Sequence, residues 1–397
     1  MGKKLIYMDN AATTKTAPEV VEAMLPYFSE MYGNPSSVYD FGARSREAIM
    51  KARQQVADVI GANKEEIYFT AGGSESDNWA LKATFEAYGE KGGHIITSKI
   101  EHHAILHTCE YLEKVRGASI TYLDVDEKGL VNPADVEAAI REDTILISIM
   151  TANNEIGTIE PIKEIGEIAK KHGILFHTDA VQAYGQIPMN VDEMHIDMLS
   201  ASGHKLNGPK GIGFLYIRKG VKIRSFVHGG AQERKRRAGT ENVPGIVGLG
   251  AAAERAASTM EERTAKERII RDHLADVITS EIPHCWVNGD REKRLPGNVN
   301  FSFEFIEGES MLLMLDALGV CASSGSACTS GSLDPSHVLL AIGLPHEKAH
   351  GSLRLTLNEE ITMEDADFVI EKLKGIVANL RSMSPLYADY VKKHGEA

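Results

Sequence analysis

The chain has 397 residues, of which 43% are hydrophobic and 25% charged, and its formal net charge is −13. These values are typical of a soluble globular protein with one large domain and a smaller one attached, and the negative charge argues against direct binding of nucleic acid. No apolar run approaches the ~20 residues of a membrane helix, and the amino terminus turns acidic at Asp9, too early for a signal peptide, so we expect a cytoplasmic protein.

Short apolar strands alternate with helices through the first half of the chain. In chain order we predict strand 67–70, helix 74–88, strand 94–97, helix 104–115, strand 120–123, helix 133–140, strand 144–150, helix 161–172, and strands 174–177, 198–201 and 212–217. Apolar strands separated by helices are typical of a buried, mostly parallel sheet with helices on both faces. The predicted fold class is therefore α/β, with a large three-layer α/β/α domain.

The pattern changes beyond a polar, glycine-rich loop at 226–243. We predict a long charged helix at 244–280, then strand 298–303, helix 309–318, a small-residue loop, a further helix, strand 352–357 and helix 363–380. This order predicts a smaller α+β domain. We assign residues 15–260 to the large domain, and residues 1–14 and 261–397 to the small one.

Small-residue turns follow two of the predicted strands, at the carboxyl ends where open α/β sheets bind ligands. One turn is Ala-Gly-Gly-Ser at 71–74, and the other is Ser-Gly-His-Lys at 202–205. Backbone N–H groups at a helix start suit a phosphate, and Lys205 would lie in the same cleft. Two alternatives stay open: Ser74 as an ordinary helix N-cap, and Lys205 as a solvated surface residue.

An acid and a histidine also follow predicted strands. Asp179 comes after the strand at 174–177, and a buried carboxylate there is costly unless a cation or a strong donor meets it. The alternative is an N-cap for a following helix. His102 comes after the strand at 94–97, where a purely structural role is the alternative to a place in the ligand crevice.

The four cysteines form no C-x-x-C pair and no disulfide framework, so we expect free thiols. Cys109, Cys285 and Cys321 are predicted to be buried and inert. Cys328 lies in a loop of small residues, at about 322–335, that we expect to be exposed and mobile. An exposed thiol on such a loop is suited to act as a nucleophile.

A phosphate-binding turn, a lysine, a buried acid and a histidine together indicate pyridoxal 5'-phosphate, which needs a lysine imine and an acid at its ring nitrogen. Taken alone, these residues predict an α/β enzyme that binds a phosphate-bearing cofactor and has a reactive cysteine.

The same residues lie in motifs that resemble those of the group I (Isc/Nif-type) cysteine desulfurases, which are fold-type I pyridoxal-phosphate enzymes. The likeness extends from residue 8 to residue 387, nearly the whole chain. The matching motifs are Asp-Asn-Ala-Ala-Thr-Thr at 9–14, Gly-Asn-Pro-Ser-Ser at 33–37, Glu-Ser-Asp-Asn at 75–78, Asn-Asn-Glu-Ile-Gly-Thr at 153–158, Ser-Gly-His-Lys at 202–205 and Ser-Ser-Gly-Ser-Ala-Cys-Thr-Ser at 323–330. The last motif differs from the R-x-G-H-H-C pattern of the group II enzymes.

The resemblance implies a cofactor site and a role for each matching residue. The residues implied to bind the cofactor are Lys205, Asp179, Gln182, His102, Asn154, Gly73, Ser74, Ser202, His204 and Thr240. Lys205 would form the imine and later move protons, Asp179 would pair with the ring nitrogen, and His102 would stack on the ring. Gln182 would bond the phenolic oxygen, and Thr240 would reach the phosphate of a neighbouring subunit in a homodimer formed by the large domain.

The implied reaction converts L-cysteine to L-alanine. Arg354 and Asn154 would grip the substrate carboxylate, and Cys328 would take the sulfur as a persulfide. The catalytic residues would be Cys328, Lys205 and His102. The sulfur acceptors would be an Fe–S scaffold protein and others, such as a tRNA-thiolation protein, and the segment 380–390 resembles the docking end of Isc-type enzymes. No resident metal is expected, although Cys328 would be suited to ligate an Fe–S cluster transiently.

Three positions depart from the usual family pattern: Tyr39 stands where histidine is common, residues 73–74 are Gly-Ser in place of Ala-Thr, and His103 replaces a common lysine. Two alternative functions stay open. One is another fold-type I enzyme, such as a selenocysteine lyase or an aminotransferase, which needs no thiol in this loop. The other is a non-catalytic scaffold of a sulfur pathway.

Overall fold

The computed structural model describes residues 4–90, 92–324 and 335–395. The strands are β1 (Ile6–Tyr7), β2 (Ile67–Thr70), β3 (His94–Ser98), β4 (Ser119–Leu123), β5 (Thr144–Ser148), β6 (Leu175–Asp179), β7 (Met198–Ser202), β8 (Gly213–Ile217), β9 (Cys285–Asn288), β10 (Asn298–Phe303), β11 (Val320–Cys321) and β12 (Ser352–Thr356). The helices are α1 (Pro18–Met24), α2 (Pro26–Ser29), α3 (Asp40–Asp58), α4 (Gly73–Tyr88), α5 (His103–Arg116), α6 (Pro133–Ala138), α7 (Ile162–His172), α8 (Gln232–Lys235), α9 (Val243–Glu281), α10 (Gly308–Asp316), α11 (His337–Ala341), α12 (His346–Ala349), α13 (Met363–Ser382) and α14 (Pro385–His394). Two 3-10 turns lie at Lys64–Glu66 and Gly203–Lys205.

The large sheet has seven strands in the order β2-β8-β7-β6-β5-β3-β4. Its strands run parallel except for β8, which is antiparallel to both of its neighbours. This confirms the predicted α/β class and its mostly parallel sheet. The parallel strands β3, β5, β6 and β7 end at one edge, where their carboxyl ends are brought together.

Both faces of this sheet are covered, because successive side chains of a strand point to opposite faces. On β3, Ile95 packs in a cluster with Trp79 of α4 and Leu112 of α5, whereas Ile96 belongs to the cluster on the other face. That second cluster contains residues of α3, α7 and the first half of α9. The strands of this sheet are apolar at successive positions because neither face of the sheet is exposed to water.

A separate core forms around the small sheet, whose antiparallel order is β12-β10-β9, and around the parallel pair β1 and β11. Helix α9 connects the two cores. Its residue Ala256 packs in the large-sheet cluster, and from Ile270 onward it packs in the small-sheet cluster. The predicted division between residues 260 and 261 falls inside this helix and stays a prediction.

Burial of the cysteines differs in part from expectation. Cys109 is buried, as predicted, but Cys285 and Cys321 are partly exposed, so the prediction was wrong for these two. Burial still raises the pKa of Cys285 to about 12, so this thiol stays protonated at neutral pH. Among the described residues no helix is both long enough and apolar enough to cross a membrane.

The polar loop at 226–243 is held against the large sheet by a buried ion pair. Arg53 donates from Nη1 and Nη2 to the two carboxylate oxygens of Glu233, each at 2.7 Å, and the backbone N–H of Phe69 donates to Glu233 at 3.0 Å. Glu233, Arg234 and Lys235 have φ values of 44°, 56° and 65°. Three successive non-glycine residues with left-handed φ values are strained, and the buried Arg53–Glu233 ion pair offsets this strain.

We expect Glu233→Ala to lower the free energy of unfolding by ~3–5 kcal/mol, because it leaves the buried Arg53 guanidinium without a counter-charge. Urea unfolding followed by circular dichroism measures the change. Glu110→Ala is the matched control, since Glu110 pairs with Lys114 at an exposed position of α5, and little change is expected there. Equal effects of the two substitutions would contradict the assigned role of the buried pair.

Candidate active site

A cleft of about 530 Å³ lies at the carboxyl edge of the large sheet. Its lining residues are Thr13, Ala71, Gly72, Gly73, Ser74, Glu75, Ser202, His204, Lys210 and Gly211. Both predicted small-residue turns therefore face one cavity, although they are more than a hundred residues apart in the sequence. The first turn of α4 points its backbone N–H groups into this region, which suits an anion.

Gly73 begins α4 against Val181, because a Cβ there would lie 2.5 Å from Cγ2 of Val181. The cap position of the helix is Gly72, and Ser74 is its second residue, so the alternative reading of Ser74 as the N-cap was wrong. Ser74 is exposed and lines the cleft. Ser74 therefore borders the space that a ligand would occupy.

Lys205 ends the 3-10 turn that follows β7. Its Nζ donates to the carbonyl oxygens of Ala11 and Ala12, the latter at 2.7 Å. Gln182 donates from Nε2 to the same carbonyl oxygen of Ala11 at 3.0 Å. The lysine, the glutamine and the amino-terminal segment at 9–14 thus meet at one point, so the reading of Lys205 as a solvated surface residue was wrong.

Asp179 is the last residue of β6 and is 5% exposed. Its Oδ1 accepts the backbone N–H of Val181 at 2.9 Å. Burial raises the pKa of Asp179 to about 6, while the Val181 N–H and the Lys205 ammonium lower it. Turns and no helix follow at 181–185, so the alternative of a helix N-cap was wrong. A second cation at this carboxylate, such as a protonated ring nitrogen, would hold it fully ionised.

His102 precedes α5, and its Nδ1 accepts the backbone N–H of Ala104 at 3.1 Å. Burial lowers the pKa of His102, and the positive charge of Lys205 lowers it further. The ring is therefore neutral at pH 7 and has the protonation state of a base. His102 therefore both caps α5 and lies close enough to Lys205 for that charge to lower its pKa.

Arg354 and Asn154, the pair expected to bind a carboxylate, are in contact. Nη1 of Arg354 donates to the backbone oxygen of Asn154 at 3.0 Å, and Nη2 donates to Oδ1 of Asp9 at 2.9 Å. The backbone of Arg354 pairs with that of Ser323. Residues 325–334, with the predicted nucleophile Cys328, lie outside the described residues.

Thr240 is exposed and does not line the cleft. A single chain therefore brings together the predicted residues at the phosphate cleft and around Lys205, but not Thr240. Among the described residues no group of three or more histidine, cysteine, aspartate or glutamate side chains is arranged to hold a metal ion.

Two buried acids beneath Asp179 were missed by the sequence analysis. Asp77 on α4 is 1% exposed, and its pKa is raised well above the usual range by burial and then by the charge of Asp179. Glu101 is fully buried, and burial raises its pKa to about 8. No single-sequence signal marks them, because an acid on a helix or before a histidine is ordinarily solvated.

Residues 6–369 match the family described as aminotransferase class-V. A protein of Methanosarcina thermophila named cysteine desulfurase IscS is 60% identical over 383 residues, which are 96% of this chain and 94% of that protein. A protein of the same name from Clostridium botulinum is 56% identical over 395 residues, 99% of both chains.

The solved structures that resemble this fold agree with these relatives. A structure described as a NifS-like protein has a TM-score of 0.89 at 38% identity and covers 95% of this chain and 100% of its own. The apo structure of a cysteine desulfurase from Thermococcus onnurineus has a TM-score of 0.85 at 27% identity and covers 95% of each chain.

We expect Glu101→Gln to flatten the pH dependence of stability in the cofactor-free protein. The pKa of Glu101 is raised from 4.5 to about 8, so its contribution is fully present below the unfolded value and is lost as pH rises through the folded one. Between about pH 5.5 and pH 8 the unsubstituted chain should lose on the order of 1–3 kcal/mol more than the variant. Glutamine keeps Oε1 as the acceptor for Ser98 and Met150.

Urea unfolding at both pH values measures this difference. Glu261→Gln, at an exposed position of α9, is the control and should leave the pH dependence unchanged. A Glu101→Gln variant whose stability follows the unsubstituted protein at every pH would show that Glu101 is ionised in the folded state.

Proposed function

We infer the function from one premise: the chain belongs to the aminotransferase class-V family. The observation that carries the conclusion is the 60% identity to a cysteine desulfurase over 96% of this chain. The protein is a pyridoxal-phosphate-dependent cysteine desulfurase that converts L-cysteine to L-alanine. The sulfur would be held as a persulfide on Cys328, and we propose that it is donated for Fe–S cluster assembly and tRNA thiolation.

The residues of the candidate site fit the cofactor. Gly73, Ser74, Ser202 and His204 line one cleft at the start of α4, where helix N–H groups suit a phosphate. We propose that Lys205 holds the cofactor covalently and that Asp179 faces its ring nitrogen, because a buried acid is stable as an anion only beside a cation. When bound, pyridoxal phosphate supplies an electron sink that stabilises negative charge at the substrate α-carbon.

Different side chains of the protein would then bind L-cysteine, transfer protons and attack its sulfur. Arg354 and Asn154 hold the α-carboxylate, which fixes the α-hydrogen toward Lys205 for proton removal. His102 is neutral at pH 7, and we propose that it takes the thiol proton at Nδ1, which then gives up its contact with the Ala104 N–H. The Cys328 thiolate attacks the substrate sulfur: an S–S bond forms, the C–S bond of cysteine breaks, and a proton completes alanine.

The carboxyl-terminal region provides a surface for a sulfur acceptor. A groove of about 1060 Å³ lies between α14, α12 and the segment after β10. Its lining includes Met383 and Leu386, which are 64% and 66% exposed. Exposed apolar side chains in a groove favour protein binding, which supports an Fe–S scaffold protein or another acceptor as the occupant.

We propose that the reaction takes place in the cytoplasm.

We propose that the protein is a homodimer, and the position of Thr240 supports this proposal. This residue is exposed and does not line the phosphate cleft of its own chain. We propose that it completes the phosphate site of a second copy. Arg237 holds the loop near Thr240 through a bidentate pair with Glu75 at 2.8 and 3.1 Å.

We expect Cys328→Ser to lose sulfide and alanine formation while keeping the visible absorption of the bound cofactor and its change on adding L-cysteine, because a serine hydroxyl does not attack sulfur. Sulfide and alanine are assayed under a reductant. Cys321→Ala is the control and should turn over normally. Sulfide release by Cys328→Ser at the unsubstituted rate would assign the nucleophile elsewhere.

We expect Thr240→Ala to weaken retention of the cofactor, by roughly tenfold for the loss of one bond to a charged phosphate, without dissociating the dimer. Dialysis followed by absorption measures retention, and light scattering should give twice the mass of one chain. A monomeric protein, or one whose Thr240→Ala variant holds the cofactor unchanged, would contradict the shared phosphate site.

A further inference from the structure

Among the described residues, the guanidinium of Arg354 donates to two acceptors that lie far from it and from each other in the sequence. Nη1 donates to the backbone oxygen of Asn154 and Nη2 donates to Oδ1 of Asp9. We propose that Asp9 is a positioning residue, which orients Arg354 for the carboxylate of the substrate through this one accepted hydrogen bond. The inference rests on the proposed function and deepens it at the same site.

The backbone places Asp9 independently of the ion pair. Thr356, two residues after Arg354 on β12, donates its N–H to the oxygen of Met8 at 2.8 Å, and its side chain accepts the N–H of Ala11 at 2.9 Å. Asn10 donates from Nδ2 to the oxygen of Thr356 at 2.8 Å. Residues 8–11 are thus fixed along the strand that carries Arg354, so the backbone of Asp9 is held beside this strand.

The remaining donors of Arg354 suit a second carboxylate. The side chain is 4% exposed, whereas that of Asp9 is 21% exposed. A guanidinium has five N–H donors, and Nε of Arg354 is buried without an acceptor among the residues that the structure describes. Two acceptors on Nη1 and Nη2 fix the plane of the group, and the donors left over are those that an α-carboxylate can take in a bidentate arrangement.

The same amino-terminal segment also contacts Lys205. The carbonyl oxygens of Ala11 and Ala12 accept the lysine ammonium, two and three residues after Asp9. One short segment therefore sets the positions of the group that binds the carboxylate and of the group that acts at the α-carbon. A shift of Arg354 would move the substrate relative to Lys205, since small misplacements of a bound substrate are costly.

The test measures binding of L-cysteine to the cofactor-loaded Cys328→Ser protein, which avoids turnover, from the change in visible absorption. Asp9→Ala should raise the dissociation constant about tenfold, as expected for loss of one hydrogen bond to a charged group. Asp9→Asn keeps an acceptor oxygen and should stay within about threefold of the unsubstituted protein. Asp9→Ser takes the place of Asp9→Ala if that variant does not fold, with the same expected loss.

Cysteamine, which lacks the carboxylate, separates positioning from a structural role, because its affinity should be unaffected by any change at Asp9. Lys15→Ala is the matched control: Lys15 lies on the same amino-terminal stretch and pairs with Glu360 at 3.0 Å, but both side chains are at least 60% exposed. Its affinity for L-cysteine should not change.

Four outcomes overturn the inference: unchanged affinity in Asp9→Ala, tighter binding in Asp9→Ala, an equal loss for cysteamine, or Asp9→Asn as weak as Asp9→Ala. Tighter binding of L-cysteine by Asp9→Ala would mean that Asp9 competes with the substrate for Arg354. Binding by Asp9→Asn that is as weak as that by Asp9→Ala would mean that the charge of Asp9, and not its hydrogen bond, is what matters. If the unsubstituted chain shows no change with L-cysteine, the proposed function itself fails, which is a different result from any of these four.

Discussion

A carboxylate that is buried at the end of a strand is stable as an anion only beside a positive charge or a strong hydrogen-bond donor, and Asp179 occupies such a position. It ends β6 almost without exposure, above two further buried acids, Asp77 and Glu101, whose pKa values burial raises. Burial disfavours the charged form of all three groups, and the nearby Lys205 ammonium favours charge on Asp179 over charge on Asp77 or Glu101. The Lys205 ammonium offsets part of that charge, and a protonated cofactor ring would complete the balance.

The second constraint is that one long helix and the amino-terminal segment join the two cores. Helix α9 packs in both clusters, and the amino-terminal segment at 9–14 runs from the small-domain strand β12 to the turn that carries Lys205. Arg354 and Lys205 therefore belong to different cores but both contact this one segment. This arrangement holds Arg354 and Lys205 in a defined relative position, although they are far apart in the sequence.

Much of the fold followed from pattern alone. The alternation of apolar strands and helices between residues 67 and 217 predicted the large sheet, and the ends of α9 and β10 were right to within a residue. Strand β9 was not predicted, because its side chains are only half-buried at the edge of the small sheet and show no strong period. The predicted burial of Cys285 and Cys321 was wrong for a related reason. The tendency of free cysteines to be buried is a statistical one, and the position of each cysteine depends on the tertiary structure.

The sequence by itself determined the fold class and the chemical types at the site, since strand periodicity and small-residue turns are local properties and the motifs are contiguous. Tertiary structure alone decided which of these groups meet. Asp9 and Arg354 are 345 residues apart and are joined only because β12 pairs with the amino-terminal segment. The pKa values of Asp77 and Glu101 likewise depend on burial, and burial is set by the packing of α4 and β5 against strands distant in sequence.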